Sequence, residues 1–369
     1  MTLTRRGFVA TGVFLTANTM LNGCQESVTE PMPELPFDVT VNLAGAEFGM
    51  QQPGYSNENP GKLHQDYTFN SLATVRYFAE RGIRTFRVPI AWERLQPNLR
   101  QDLNKEYLSN ILLLLTWLEE CDATAIIDLH NYCRYRIAHR KKVVEAVMDE
   151  TYDGKVLVST ADLCDLWRRL ATALSPRESV ACFGIMNEPH DLGSLDWKAA
   201  SNSVVDAIRQ VDQQKWIAVC GRSWASAARF QSANGNKPWI SDVANKTVYE
   251  AHAYFDSDQS GKYRLSYDEE LKRDPKLAQR PIQVLSPFVQ WCQENKVPGY
   301  LGEIGVPNTD PRWLELVASA SKQLHEAHLA AGYWAAGEWW NDYPLSVQPS
   351  DFASMLSPPL ETMLRQMAG

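Results

Sequence analysis

Gly184-Ile185-Met186-Asn187-Glu188-Pro189-His190 and, far downstream, Gly299-Tyr300-Leu301-Gly302-Glu303-Ile304-Gly305 decide how this chain is read. Each begins as a short apolar run of the kind that forms a buried strand, and each run leads into a glutamate. One acid at a strand end is ordinary. Two, on separate strands, are what a barrel needs to place a proton donor and a nucleophile on either side of a glycosidic bond.

Outward from these two segments, short apolar runs alternate with stretches of helical period. Val41–Glu47, Ile83–Pro89, Ala123–His130, Ala181–Glu188, Trp216–Cys220, Thr247–His252, Val297–Glu303 and Gly332–Ala336 read as strands. Residues 68–81, 105–120, 161–174, 196–213, 281–295 and 311–331 read as helices, and the stretch before Thr247 is rich in loop residues. Eight strand units joined by crossover segments predict an α/β fold of one domain, a closed (β/α)8 TIM barrel. An open doubly wound sheet would usually carry a Gly-rich phosphate turn after its first strand, and Gly45-Ala46-Glu47-Phe48-Gly49 does not match one.

The polar residues of this pattern gather at the strand ends: Arg87, His130 with Asn131, Asn187 with Glu188, His252 with Tyr254, Glu303, and Trp334. Each alone has a structural explanation: a core ion pair for Arg87, a satisfied core imidazole for His130 or His252, packing for Trp334. Together, on six strands, they fit a reaction. One carboxyl must donate a proton to the leaving oxygen while the other attacks the anomeric carbon. Arg87 can hold Glu303 ionised, and Tyr254 can orient it by a hydrogen bond. Asn187 suits the sugar 2-OH, His130 and His252 can line the subsite at the cleavage point, and Trp334 can stack against a pyranose face.

The ordered set of segments resembles glycoside hydrolase family 5, the cellulase A family. Its carriers are Gly45-Ala46-Glu47-Phe48-Gly49, Phe86-Arg87-Val88-Pro89, Asp128-Leu129-His130-Asn131-Tyr132, the Asn187-Glu188-Pro189 and Gly302-Glu303-Ile304-Gly305 segments, and Gly332-Tyr333-Trp334-Ala335-Ala336-Gly337. His252-Ala253-Tyr254-Phe255-Asp256-Ser257-Asp258-Gln259-Ser260-Gly261 looks most like the fungal-type endoglucanase branch. The resemblance spans about Val41 to Leu356. It implies retaining hydrolysis of internal β-1,4-glucosidic bonds of a cellulose-like chain, with Glu188 as general acid/base and Glu303 as nucleophile. It implies Arg87, His130, Asn131, Asn187, His252, Tyr254 and Trp334 as substrate-binding residues, and no metal or organic cofactor. The same machinery acting on mannan, glucomannan or a bacterial exopolysaccharide, transglycosylation in place of hydrolysis, and a non-catalytic polysaccharide-binding barrel are the alternatives.

The N-terminus addresses the compartment. Thr4-Arg5-Arg6-Gly7-Phe8-Val9 is a twin-arginine pattern before a mostly apolar run to Leu21, too short to span a bilayer comfortably. Leu21-Asn22-Gly23-Cys24 resembles a lipobox, which implies cleavage after residue 23 and lipidation of Cys24. Residues 1–23 are then the signal, 24–37 a Pro- and Glu-containing spacer, and 38–369 the catalytic domain. The expectation is a monomer exported by the twin-arginine route to the periplasm or cell surface. Its membrane contact would be an N-terminal lipid anchor, with Gln25 after the cysteine favouring the outer membrane.

A net charge of −8 without a Lys/Arg stripe argues against a nucleic-acid partner. Beyond Cys24 stand Cys121, Cys133, Cys164, Cys182, Cys220 and Cys292, with no CxxC pair to read as zinc ligands. Cys133 and Cys164 could staple a loop, or all six could be free thiols. Twelve tryptophans and fourteen tyrosines exceed what such a core needs, which is compatible with a sugar groove. The basic loop 133–142, Cys133-Arg134-Tyr135-Arg136-Ile137-Ala138-His139-Arg140-Lys141-Lys142, leaves a strand end beside the site. It reads as a solvated loop, or as an element whose Arg134, Arg136 or Arg140 meets an anionic polysaccharide.

Overall fold

The computed structural model describes residues 33–368; the signal, Cys24 and most of the spacer lie outside the described residues. Residues from Met32 onward form one compact unit. Its centre is a closed ring of eight parallel strands. They are β1 (Val39–Leu43), β2 (Thr85–Ile90), β3 (Thr124–Leu129), β4 (Val180–Gly184), β5 (Trp216–Cys220), β6 (Thr247–Ala253), β7 (Gly299–Ile304) and β8 (Ala330–Ala336). Sequence neighbours pair around the ring, and β1 closes it on β8. The (β/α)8 barrel read from the sequence is therefore the architecture.

Helices cover the outside because their apolar stripes match the barrel's outer face. Lys105–Glu120 starts where the Asn104 side chain accepts from Tyr107 N at 2.9 Å, and it buries Tyr107, Ile111, Leu114, Leu115 and Leu118. That spacing of four and three residues is one face of a helix. Thr160–Leu174 opens with a capping box of Ser159 and Asp162. Between β5 and β6 the crossover holds only two short helical segments, the 3-10 turn Ala227–Arg229 and the helix Phe230–Asn234, as the loop-rich sequence there predicts. Strand ends differ from the sequence reading. β4 stops at Gly184, so Asn187 and Glu188 lie on an extension beyond it, pinned by Asn187 N donating to Leu129 O at 2.8 Å. β1 stops at Leu43, and Glu47 sits in a turn.

The barrel interior is layered. Phe37, Ile126, Cys182, Trp216, Val248 and Tyr300 close its floor as one apolar cluster. Above them Thr40 and Tyr300 share a hydroxyl–hydroxyl contact of 2.6 Å. The next layer is charged: Arg87, Asp128 and Glu250, each at most 1 % exposed. Strict alternation would put Tyr300 and Glu303 on opposite faces of β7. The β7–β8 ladder slips between Leu301 and Ile304, and this irregularity turns both inward.

The basic segment 133–142 is not a loop. Arg134–His139 pairs antiparallel with Lys142–Val147, and a smaller pair, Thr151–Tyr152 with Lys155–Val156, follows. Tyr135 and Ala146, opposite each other, are fully buried. On the other face Arg134 and Arg136 both meet Glu145, at 3.3 and 2.6 Å, and Arg140 meets Asp153 at 2.8 Å. Arg134, Arg136 and Arg140, the candidate contacts to a polyanion, are thus engaged by two acids of the hairpin and its neighbour. Cys133 and Cys164 are free thiols, as are the other four cysteines of the described residues.

Candidate active site

Eight strands deliver side chains to one mouth, and Arg87 on β2 organises what they deliver. Its guanidinium is fully buried and donates to Asn42 Oδ1 at 3.0 Å, Asn187 Oδ1 at 2.7 Å and Glu303 Oε1 at 3.2 Å. It also forms close ion pairs with Asp128 at 3.0 Å and Glu250 at 2.9 Å, off the direct N–H axis. Burial opposes its charge, but three carboxylates outweigh this and raise its pKa further. A planar fork with five donors suits such a hub; an ammonium would not.

Glu303 is held at both oxygens: Arg87 on Oε1, and the Tyr254 hydroxyl donating to Oε2 at 2.7 Å. Tyr254 is itself fixed by the loop that follows. Asp256 accepts from Ser260 Oγ, Gly261 N and Tyr263 N, which folds the loop back on the tyrosine ring. Gly261 adopts φ +71°, and a Cβ there would stand 2.8 Å from the ring. Only glycine meets both demands. The Asp-Ser-Asp-Gln-Ser-Gly motif is thus a support for the tyrosine.

Glu188 is the more exposed of the pair, its side chain 17 % exposed against 5 % for Glu303. Its Oε1 lies 2.7 Å from His252 Nδ1. One oxygen of Glu188, one of Glu303 and a ring nitrogen of His252 all lie within 4.8 Å of one another. His252 Nε2 faces Glu250 at 3.3 Å. Burial would depress the His252 pKa; Glu303 and the bonds to Cys220, Glu188 and Glu250 outweigh it and raise the value well above the usual. Glu250 goes the other way: burial pushes its pKa up, but Arg87 and His252 carry it below the usual carboxylate range. Next to it Gly302 is obligatory, because a Cβ there would collide with Glu250 Oε1.

His130 repeats the arrangement on β3. Its Nδ1 is 2.8 Å from Asp128 Oδ2 and its Nε2 3.3 Å from Asn187 Nδ2. Burial disfavours its charge, and Asp128 more than compensates, so its pKa is raised. The contact with Asn187 needs a bare Nε2, since the Asn187 oxygen already accepts from Arg87. Trp334 stacks on His130 with ring centroids 5.5 Å apart and planes 14° apart.

Of the residues singled out in the sequence, Arg87, His130, Asn187, Glu188, His252, Tyr254, Glu303 and Trp334 come together here. Asn131 does not face the mouth. Its amide is consumed by Trp92 N at 2.8 Å, Glu93 Oε2 at 2.9 Å and Arg134 O at 3.2 Å, so it ties the hairpin to the barrel and offers nothing to a sugar. Asp128, Glu250 and Asn42 were missed. Two had a signal: Asp128 and Glu250 each precede a site histidine by two residues on a strand, which puts acid and imidazole on one face.

Two cavities meet at Glu188. One, about 400 Å³, is lined by His130, Asn187, Glu303, Trp334 and Tyr343. The other, about 440 Å³, is lined by Trp224, Ser226, Arg229, His252 and Asp258. Tyr132, Glu188, Tyr254, Ser260 and Lys262 border both. Trp224 is 41 % exposed and stacks on His190 at 4.4 Å and 13°. Together they make an open groove with a carboxyl pair at its waist and an aromatic ring in each arm.

Comparison with known proteins agrees with this geometry. The chain is 28% identical over 323 residues to endo-beta-1,4-glucanase B of Emericella nidulans, covering 86% of this chain and 88% of that one. Among solved structures it resembles endoglucanase Cel5A of Pseudomonas stutzeri, with a TM-score of 0.77, 30% identity, and 90% and 94% of the two chains covered. It also resembles the endo-beta-1,4-glucanase Xac0029 of Xanthomonas axonopodis pv. citri, with a TM-score of 0.73, 29% identity, and 90% and 99% covered. The family model for cellulase, glycosyl hydrolase family 5, matches residues 41–341, and this chain belongs to that family.

Proposed function

We propose that the protein is an endo-β-1,4-glucanase that cleaves cellulose-like chains with retention of anomeric configuration. The observation that carries the mechanism is the proximity of the two carboxyls, with oxygens of Glu188 and Glu303 within 4.8 Å of one another. Retaining glycosidases place their carboxyl groups about 5–5.5 Å apart, whereas inverting ones need about 6.5–9.5 Å to admit a water. Glu303, gripped by Arg87 and Tyr254, is the nucleophile. It attacks C1 of the sugar bound between His130, Asn187 and Trp334, while Glu188 gives its proton to the departing glycosidic oxygen. The product is a glycosyl ester on Glu303 and a free chain end. Glu188, now a base, takes a proton from water, the water oxygen attacks C1, and the ester bond breaks to restore Glu303.

The other residues serve these two steps. Asn187, fixed by Arg87, is placed to hydrogen-bond the 2-OH, a contact that strengthens in the transition state. His252 lies 2.7 Å from Glu188, 3.6 Å from Glu303 and 3.3 Å from Glu250, so it holds the acid carboxyl in place beside the nucleophile. Trp334 forms the floor under the sugar. The open groove suits attack within a chain. The test is reducing-end release from soluble cellulose derivatives, followed by proton NMR of the first product. A β-anomer formed first, with falling viscosity, supports the reading; an α-anomer formed first refutes retention, and no release refutes the enzyme.

We also propose that export by the twin-arginine route and acylation of Cys24 tether this domain to a membrane, a reading supported by the Arg5-Arg6 and Leu21-Asn22-Gly23-Cys24 patterns. Cys24→Ala should move the protein from the membrane to the soluble fraction; retention in the membrane would refute the anchor.

A further inference from the structure

The cleft carries two cations that the reaction does not use. Arg229 and Lys262 line the cavity that also holds Trp224 and Glu188, and both are exposed. Among the described residues neither side chain has an ion-pair or hydrogen-bond partner. The hairpin arginines 134 and 136 share Glu145, and Arg140 meets Asp153. Two acids line the same cavity: Glu188, which lies 2.7 Å from His252 Nδ1, and Asp258, which is engaged by Arg264 at 3.7 Å and by Ser260 N at 3.2 Å.

Both cations also stand on fixed backbone. Lys262 follows Gly261 on the loop that Asp256 folds against Tyr254. Arg229 ends the short helix Ala227–Arg229, which begins after Ser226, and this segment is bridged to His252 on β6. The arm is the leaving-group side of the cleft, since it holds the acid Glu188 and Trp224 but not Glu303. Lys262 borders both cavities and so lies close to the scissile bond, while Arg229 borders only this arm and lies further out.

We propose that Arg229 and Lys262 form an anion-recognition element in the leaving-group arm, which selects β-1,4-glucans bearing carboxylate substituents on the units just beyond the cut. The reading rests on the proposed glucanase activity and refines its substrate. It moves acidic-substrate recognition from the hairpin arginines to these two side chains. A chain of net charge −8 repels a polyanion at long range, so local cations must supply the attraction.

The test compares kcat/KM on carboxymethyl-cellulose and on neutral hydroxyethyl-cellulose for the wild type, the Arg229→Gln/Lys262→Gln double variant and the Arg229→Glu/Lys262→Glu double variant. Exposed ion pairs are individually weak, so the ratio of acidic to neutral activity should fall about tenfold in the first variant, and further in the second. In the wild type the ratio should shrink as salt approaches about 1 M, where screening is nearly complete. Lys262→Arg should preserve it. A ratio unchanged by the substitutions, or one that salt leaves untouched in the wild type, overturns the proposal. Failure on both polymers by the wild type would instead refute the glucanase reading.

Discussion

At the residue scale, the two glutamates of the site are separated in role by their partners. Glu303 is immobilised by Arg87 and Tyr254; Glu188 touches His252 and faces the cleft. An acid catalyst is needed only when the leaving group requires a proton. Glu188→Ala should therefore slow cellulose cleavage by about 10²–10⁴-fold and leave formation of the glycosyl ester from an aryl cellobioside with an acidic phenol nearly intact, as pre-steady-state kinetics would measure. His252 makes a second prediction. Its folded pKa is raised above the usual 6.5, so its charge stabilises the fold fully below about pH 6.5, and that contribution is lost as pH climbs through the higher folded value. A scan of Tm against pH should show the wild type losing more stability on the alkaline side than His252→Gln. Equal slopes would mean the imidazolium contributes nothing.

At the scale of elements, the hairpin Arg134–Val147 is the part of the chain that departs from the sequence reading. Its alternation was present, with Tyr135 and Ile137 on one face and Arg134 and Arg136 on the other. The density of charge and the positive-φ turn at Arg140 and Lys141 hid it as a loop. What seats the hairpin is Glu93, 1 % exposed, which accepts from Arg136 N at 2.6 Å, Asn131 Nδ2 at 2.9 Å and Tyr55 OH at 3.2 Å. Glu93→Ala strands three donors and should cost on the order of 3 kcal/mol or more in urea unfolding, with faster amide exchange across the hairpin. Glu145→Ala removes a 43 % exposed partner and should cost no more than about 1 kcal/mol. If the two variants unfold alike, the buried carboxylate is not the anchor. The barrel strands were legible because each is a buried apolar run of five to seven residues. Their ends were less so: Asn187 and Glu188 sit beyond β4, where Asn187 N donates to Leu129 O in a tertiary hydrogen bond that no local pattern records. Asn131 was misread for the same reason. Its position after His130 put it beside the site, but its amide turns to the hairpin.

At the scale of the molecule, the barrel is an apolar floor, a buried charged layer and an open groove, one above the other. In the charged layer Asp128, Glu250 and Glu303 surround one guanidinium that is fully buried. Removing Arg87 by Arg87→Met should abolish activity and cost about 3–5 kcal/mol, because buried carboxylates are left uncompensated. Every residue of the site lies on the unit that begins at Met32. The mechanism requires Glu303 to form a covalent bond to the sugar. The measurement that reaches this directly is mass spectrometry of the protein after reaction with a 2-deoxy-2-fluoro-β-cellobioside carrying a good leaving group, which forms the ester quickly and hydrolyses it slowly. The account predicts one added fluorocellobiosyl group, mapped by peptide fragmentation to Glu303; an adduct on Glu188, or turnover of natural substrate with no adduct at all, would contradict it.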